Sequence, residues 1–287
     1  MPPPSEKARF AAILGERPSR TSKSPALWNA AFRALGIDVE YLALDVDAAE
    51  LAARVRALRS EPRFLGGNVT VPHKIAIVPL LDAVDDTARR VGAVNTIARG
   101  DGALAAGLVG GNTDGAGALR ALRDALGNLA GRSALLLGAG GAARAIAFAL
   151  SGAIAPGRLW IANRTAVRAA DLAAAAGGEA VAWCDLDAIA PRCDLVVNAT
   201  RVGHGSAESP LSLEVVRRFT RASFFDAVYE PAETALLAHA RAAGRPALGG
   251  KPMLLAQAAE AFVRVCGSLL PRGVDAARVH ALMEAAW

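Results

Sequence analysis

Four compact polar motifs interrupt an otherwise apolar, alanine-rich chain: Ser22-Lys23-Ser24-Pro25, Asn68-Val69-Thr70-Val71-Pro72-His73-Lys74, Gly92-Ala93-Val94-Asn95-Thr96 and Gly111-Asn112-Thr113-Asp114-Gly115. Together they supply the groups needed to interconvert an alcohol and a ketone on a polyhydroxylated acid. Serine and threonine hydroxyls bind a carboxylate without titrating, and amides read neutral hydroxyls. A Lys or an Asp moves the proton that the carbonyl oxygen gains or loses. Lys74 carries particular weight. Of 32 basic residues only Lys7, Lys23, Lys74 and Lys251 are lysines, and the rest are arginines. Arginine effectively never gives up its proton, whereas lysine can. Each motif also has a purely structural reading. Ser22 and Ser24 serve as turn and cap residues, Asn95 closes a turn, and Asp114 caps the helix that follows it.

A second kind of chemistry is written at Gly138-Ala139-Gly140-Gly141-Ala142-Ala143, which follows the apolar run Leu135–Leu137 and opens a helical pattern. The string fits G-x-G-x-x-A. The first glycine permits a tight turn, the second lets the backbone approach a pyrophosphate, and the small Ala143 allows close helix–strand packing. The helix N-terminus attracts phosphate. Where an NAD site places a carboxylate at the end of the next strand, this chain has Asn163-Arg164-Thr165, with Arg168 nearby. Two guanidiniums and two hydrogen-bonding side chains suit a 2′-phosphate, so the expected cofactor is NADP. The structural alternative is that Arg164 and Thr165 merely begin and cap the next helix.

The elements that must hold these groups alternate. Strands are predicted at Phe10–Leu14, Val39–Leu44 and Phe64–Val69, with helices over Pro25–Leu35 (Ser24 as N-cap) and Ala48–Arg59. The alternation restarts with strands at Ser133–Leu137, Arg158–Ala162, Leu195–Asn198 and Phe224–Val228. Helices fall at about 115–126, Gly141–Leu150, Ala166–Ala176 and Glu233–Ala243. Two more, near Met253–Leu269 and Asp275–Ala286, close the chain. Such alternation implies βαβ units and mostly parallel sheets. The 287 residues suggest two α/β domains, divided at the glycine-rich stretch 107–117 and again near 249–252, with the active site expected in the cleft between them.

Composition narrows the classes. The chain is 53% hydrophobic and 21% charged, which excludes disorder. Cys184, Cys193 and Cys266 form no C-x-x-C pair and have no histidine cluster beside them, so neither a disulfide scaffold nor a metal site is expected. No apolar run is long enough for a membrane span, and Met-Pro-Pro-Pro leads into no signal-like segment, which implies a cytoplasmic protein. The net charge of +5 is scattered among carboxylates rather than gathered into a patch, so nucleic acid is not an expected partner.

Taken in order, S-K-S-P, N-V-T-V-P-x-K, G-A-V-N-T, N-T-D-G, G-A-G-G-A-x-R, N-R-T and a closing M-L-x-x-Q resemble the shikimate dehydrogenase family over nearly the whole chain. The resemblance implies reversible, NADPH-dependent reduction of 3-dehydroshikimate to shikimate, in aromatic amino-acid biosynthesis. It implies an N-terminal α/β substrate domain, 1–113, and a Rossmann-like NADP-binding domain, 114–249. The C-terminal helices, 250–287, then return to the substrate domain. By the same resemblance Lys74 and Asp114 are the catalytic pair. Ser22 and Ser24, with Tyr229, bind the carboxylate, and Thr70, Asn95 and Gln257 hold ring hydroxyls. Gly138, Ala139, Gly140, Gly141, Ala142 and Ala143 cradle the pyrophosphate. Asn163, Arg164, Thr165 and Arg168 take the 2′-phosphate, and Thr200, Gly250 and Met253 complete the cofactor site. The expected partner is the small-molecule substrate, and the expected state a monomer or a homodimer.

The sequence departs from the family pattern in three places. Gly250-Lys251-Pro252-Met253 replaces G-L-G-M, Thr21 stands where histidine is frequent, and Arg201 follows Asn198-Ala199-Thr200. Lys251 and Pro252 read either as a solvated lysine and a helix-starting proline or as a change of substrate preference. A quinate or amino-analogue dehydrogenase, and an NADP-binding regulatory protein of weak activity, are the competing functions. The presence of both Lys74 and Asp114 counts against the regulatory reading.

Overall fold

The computed structural model describes residues 7–101 and 107–287, so the Met-Pro-Pro-Pro start lies outside the described residues. The chain divides into two units, Met1–Thr113 with Leu255–Trp287, and Asp114–Leu254.

The first unit runs β1 (Arg9–Gly15), α1 (Pro18–Thr21), α2 (Ser24–Leu35), β2 (Val39–Asp45), α3 (Leu51–Ser60), β3 (Phe64–Val69) and α4 (His73–Ala76). It continues through β4 (Ala83–Val84), α5 (Asp86–Val91), β5 (Thr96–Arg99) and β6 (Leu108–Gly111). Its sheet has the order β2-β1-β3-β5-β6-β4. β1 pairs in parallel with β2 and β3, and β4 with β6, but β5 runs antiparallel to both its neighbours. The alternation therefore describes the first three strands and fails at the fifth. β5 and β6 have only four residues each, and β6 reads Leu-Val-Gly-Gly, too short and too glycine-rich to register as a strand. One face of the sheet buries Phe10, Leu14, Leu44, Val55, Leu58, Phe64 and Ile97. Trp28 of α2 packs against Tyr41 and Phe262, with ring centroids 4.4 and 4.9 Å away.

Two helix starts differ from expectation. Ser24 is the first residue of α2 rather than its cap, and Lys23 at the cap position makes no side-chain capping bond. Ser22 takes the capping part, its Oγ accepting the Ser24 N–H at 3.1 Å. α3 begins at Leu51 instead of Ala48, because the residues before it close a turn in which the Glu50 N–H reaches the Asp47 carbonyl at 3.0 Å.

The second unit runs α6 (Asp114–Leu126), β7 (Ala134–Leu137), α7 (Gly141–Ile154), β8 (Leu159–Ala162), α8 (Ala166–Ala176), β9 (Glu179–Ala180) and α9 (Leu186–Ile189). Then follow β10 (Leu195–Asn198), α10 (Leu213–Arg218), β11 (Ser223–Asp226), α11 (Ala235–Ala242) and β12 (Ala247–Leu248). All six strands are parallel, in the order β12-β11-β10-β7-β8-β9. Read from β9, this is the 3-2-1-4-5-6 arrangement of a dinucleotide-binding sheet, whose strand order reverses between β7 and β10. β7, β8 and β10 are buried on both faces, as parallel strands covered by helices must be. Leu136 and Leu150 belong to one of the flanking cores, Leu135 and Phe224 to the other.

α12 (Lys251–Cys266) and α13 (Ala276–Ala285) end the chain. Residues 255–287 are grouped with the first unit, where α13 packs on α2. Among the described residues no helix is long and apolar enough to cross a membrane.

Candidate active site

The polar motifs of the first unit follow the carboxyl ends of β1, β3 and β6 and precede the amino end of the antiparallel β5. Beyond β3, the Thr70 N–H donates to the Leu14 carbonyl at the end of β1, at 2.8 Å. The chain then turns into the short α4. There His73 is buried with Nε2 2.6 Å from the Val46 carbonyl, and the Lys74 carbonyl accepts the Val94 N–H at 2.7 Å. Lys74 is half-buried on a backbone tied on both sides. Ser24 is buried at the start of α2, and Ser22 is half-buried beside it.

A buried amide network occupies the same unit. Asn95 Nδ2 donates to Thr113 Oγ1 at 2.9 Å and to Gln257 Oε1 at 3.2 Å. Asn95 Oδ1 accepts the Thr113 N–H at 2.8 Å and the Thr96 hydroxyl at 2.9 Å. Thr113 Oγ1 also donates to the Gln257 carbonyl at 3.0 Å. The structure thus joins two predicted residues, Asn95 and Gln257, from opposite ends of the chain. Thr113 was legible only as part of the N-T-D-G motif. Behind Asn95, Tyr41 donates to Asn68 Oδ1 at 2.6 Å, and Asn68 Nδ2 reaches the Asn95 carbonyl at 3.3 Å. Burial pushes the Tyr41 phenol well above its ordinary pKa, so it remains a donor. Nothing in the apolar surroundings of Tyr41 marks it in the sequence as the orienting group of a polar network.

Asp114 is the first residue of α6 and only 4% exposed. It begins the second unit, which also carries the glycine turn. Gly138 has φ +114°, and a Cβ there would stand 3.1 Å from the Ala199 carbonyl group and 3.2 Å from Thr200 Cγ2. Only glycine permits both that backbone and that approach. Gly140 precedes α7 in extended conformation and supplies no side-chain cap, so no side chain takes up the first N–H groups of α7 there. Ala143 is fully buried against the sheet.

At the end of β8, Asn163 Nδ2 donates to the Thr165 carbonyl at 3.0 Å. Thr165 sits at the cap position of α8 but makes no side-chain capping bond, contrary to the capping alternative. Arg164 and Arg168 are exposed, and among the described residues neither has an ion-pair partner. This donor set, with the uncapped start of α7, fits the phosphates of NADP.

Beside the switch point lies a buried cluster of which the sequence reading assigned a role only to Thr200. Thr200 Oγ1 donates to Asn198 Oδ1 at 2.7 Å, and Asn198 Nδ2 donates to Asp226 Oδ1 at 2.9 Å. Thr234, the cap of α11, donates to Asp226 Oδ2 at 2.7 Å. Burial raises the Asp226 pKa, although these donors and the Val228 N–H oppose it. Tyr229 is half-buried, with its ring edge-on to His204 at 6.0 Å. The Gly250 N–H donates to the Val228 carbonyl at 3.1 Å. Met253 is 6% exposed, within the core cluster that includes Phe225. Lys251 and Pro252 are the first two residues of α12, and Arg201 is exposed.

Two family models match the chain: "Shikimate dehydrogenase substrate binding domain" over residues 13–97 and "Shikimate / quinate 5-dehydrogenase" over 120–221. A protein of Moorella thermoacetica named shikimate dehydrogenase (NADP(+)) is 44% identical over 273 residues, covering 92% of this chain and 90% of that protein. The crystal structure of shikimate 5-dehydrogenase from Thermus thermophilus, in complex with NADP(H) and shikimate, has a TM-score of 0.81 and 38% identity, covering 97% of this chain and all of that one (100%). A ligand-free 5-ketofructose reductase of Gluconobacter sp. strain CHM43 has a TM-score of 0.75 at 29% identity, over 99% of this chain and 100% of that one. Fold and site together define a two-unit α/β oxidoreductase that uses NADP. Within that class, the chain belongs to the shikimate dehydrogenase family.

Proposed function

We propose that this protein catalyses the reversible, NADPH-dependent reduction of 3-dehydroshikimate to shikimate, a step of aromatic amino-acid biosynthesis. The observation that carries the reading is the buried network of Asn95, Thr113 and Gln257, in which Thr113 directly precedes Asp114, set in a chain of this family. Residues 1–113 are the substrate and catalytic domain, 114–249 bind NADP, and 250–287 pack on the substrate domain.

NADPH, when bound, supplies the hydride. The residues of this chain bind, orient and move the proton. Ser22 and Ser24, with Tyr229, hold the carboxylate through hydroxyls that carry no charge of their own. Thr70, Asn95 and Gln257 hold the ring hydroxyls. Lys74 Nζ donates to the ketone oxygen as negative charge grows there, and gives it the proton. Asp114 is the second member of the catalytic pair. In the oxidising direction neutral Lys74 takes the proton back. Gly138 to Ala143 offer backbone N–H groups to the pyrophosphate. Arg164 and Arg168, with Asn163 and Thr165, hold the 2′-phosphate. Thr200, Gly250 and Met253 line the rest of the cofactor site. The enzyme acts in the cytoplasm as a monomer or a homodimer, with neither nucleic acid nor membrane as partner.

NADPH formation with shikimate, with quinate, and with NAD in place of NADP tests the reading. Rapid turnover with shikimate and NADP alone is expected. Turnover preferring quinate would make this a quinate dehydrogenase and direct attention to Lys251 and Arg201. No turnover with either acid, despite NADP binding, would overturn the proposal.

A further inference from the structure

Gln257 reaches Asn95 only if α12 lies at one register along its axis. A slip of a single residue turns a helical side chain by about 100° and carries it off the network. Arg264 stands two turns further along α12, roughly 10 Å away and on the same face as Gln257. Arg264 Nη1 donates to Asp85 Oδ2 at 2.5 Å, and the two side chains are 30% and 29% exposed. Asp85 is itself fixed twice. Its Oδ1 caps α5 by accepting the Ala88 N–H at 2.7 Å, and its own N–H donates to the Gly110 carbonyl at 2.9 Å.

The pair rests directly on β6. A Cβ at Gly111 would lie 2.5 Å from Arg264 Nη1 and 2.8 Å from Asp85 Oδ2, so the absence of a side chain there is what admits the ion pair. Gly111 is also tied to the network, because its carbonyl accepts the Asn95 N–H at 3.0 Å. Two residues on, the Thr113 N–H donates to Asn95 Oδ1. One strand end thus meets α12 at two points, a charged one at Arg264 and an amide one at Gln257.

We propose that the Asp85–Arg264 ion pair, seated on Gly111, is a positioning clamp that sets the register of α12 and thereby holds Gln257 against Asn95 and Thr113 for the substrate ring. The part concerning substrate rests on the activity proposed above. Asp85 and Arg264 are positioning residues, for neither is assigned a contact with substrate or cofactor.

The test compares wild type with Asp85→Asn, Arg264→Met and Arg264→Lys. Asparagine keeps a capping oxygen for α5. In Asp85→Asn and Arg264→Met, KM for shikimate rises about tenfold, the loss of one well-placed polar contact. Turnover at saturation and KM for NADP stay near wild type, and Arg264→Lys recovers most of the loss. Hydrogen exchange at the Thr113 amide, followed without substrate, quickens in the same two variants while the amides of β7 and β10 are unmoved. Unchanged KM and unchanged Thr113 exchange in folded variants would overturn the clamp. A lowered melting temperature with an unmoved KM would also overturn it, leaving the pair a merely stabilising contact. Should Arg264→Met fail to fold, Asp85→Asn and Arg264→Lys carry the comparison. Wild-type turnover judges the proposed activity by itself, and Thr113 exchange judges the clamp whichever acid is the substrate.

Discussion

Lys74 is one of four lysines in a chain that otherwise carries its positive charge on arginine. Its backbone is held by the Val94 N–H, so the side chain starts from a fixed point. Replacing it with alanine removes the proposed proton donor and leaves the fold and the glycine turn in place. Turnover of Lys74→Ala falls by at least about a hundredfold, while NADP affinity measured by calorimetry is unchanged. Near-normal turnover in the folded variant would remove Lys74 from catalysis. The amides behave differently. Asn95 and Gln257 are partners of each other as well as the groups proposed for the substrate, so losing either removes a buried hydrogen bond. Their contributions to binding and to stability are therefore coupled.

At the scale of elements, we assign cofactor choice to a strand end and the first turn of the following helix. β8 ends in Asn163-Arg164-Thr165 with no carboxylate, and Arg168 lies one turn into α8. Arg164→Ala and Arg168→Ala each raise KM for NADP about tenfold and leave KM for NAD near wild type, because each removes one charge-assisted contact to the 2′-phosphate. Equal effects on both nucleotides would place these arginines elsewhere. A second strand end governs acid sensitivity. Asp82 accepts the Leu108 N–H at 2.7 Å and Arg59 Nε at 2.9 Å. The Leu108 N–H, helped by Arg59 and opposed by burial, holds its carboxyl below the ordinary range. The unfolded chain then binds the proton more readily than the folded one, so stability rises with pH across that interval. The contribution is complete above about pH 4, the unfolded value, and is lost as pH falls through the lower folded one. Urea midpoints measured against pH test this: Asp82→Asn flattens the acid limb, and parallel curves for variant and wild type would refute it.

At the scale of the whole molecule, each unit has its own sheet and its own buried core. We place the cofactor site at the parallel sheet of the second unit and its uncapped α7, where NADP stabilises the folded state by mass action. At about a hundred times its Kd, NADP contributes ~2.7 kcal/mol, which calorimetry reads as a raised melting temperature. NAD at the same concentration gives a smaller shift. No shift with NADP would exclude the assigned site.

The sequence by itself determined the local signals. Gly138 marks a tight turn after β7 because glycine alone tolerates its backbone, and the restarted alternation marks a parallel sheet because strands buried on both faces must be apolar. The absence of a carboxylate after β8 was equally legible. Only the tertiary structure decided what depends on distant partners. β5 runs antiparallel through four residues that carry no period of their own. Asn198 and Asp226 look ordinary until two parallel strands bring them to 2.9 Å. Gln257 meets Asn95 across most of the chain, and Arg264 finds Asp85 over a glycine whose Cβ would meet both side chains. Periodicity and propensity act over a few residues, whereas hydrogen bonds and ion pairs are set by the packing of sheets and helices far apart in sequence.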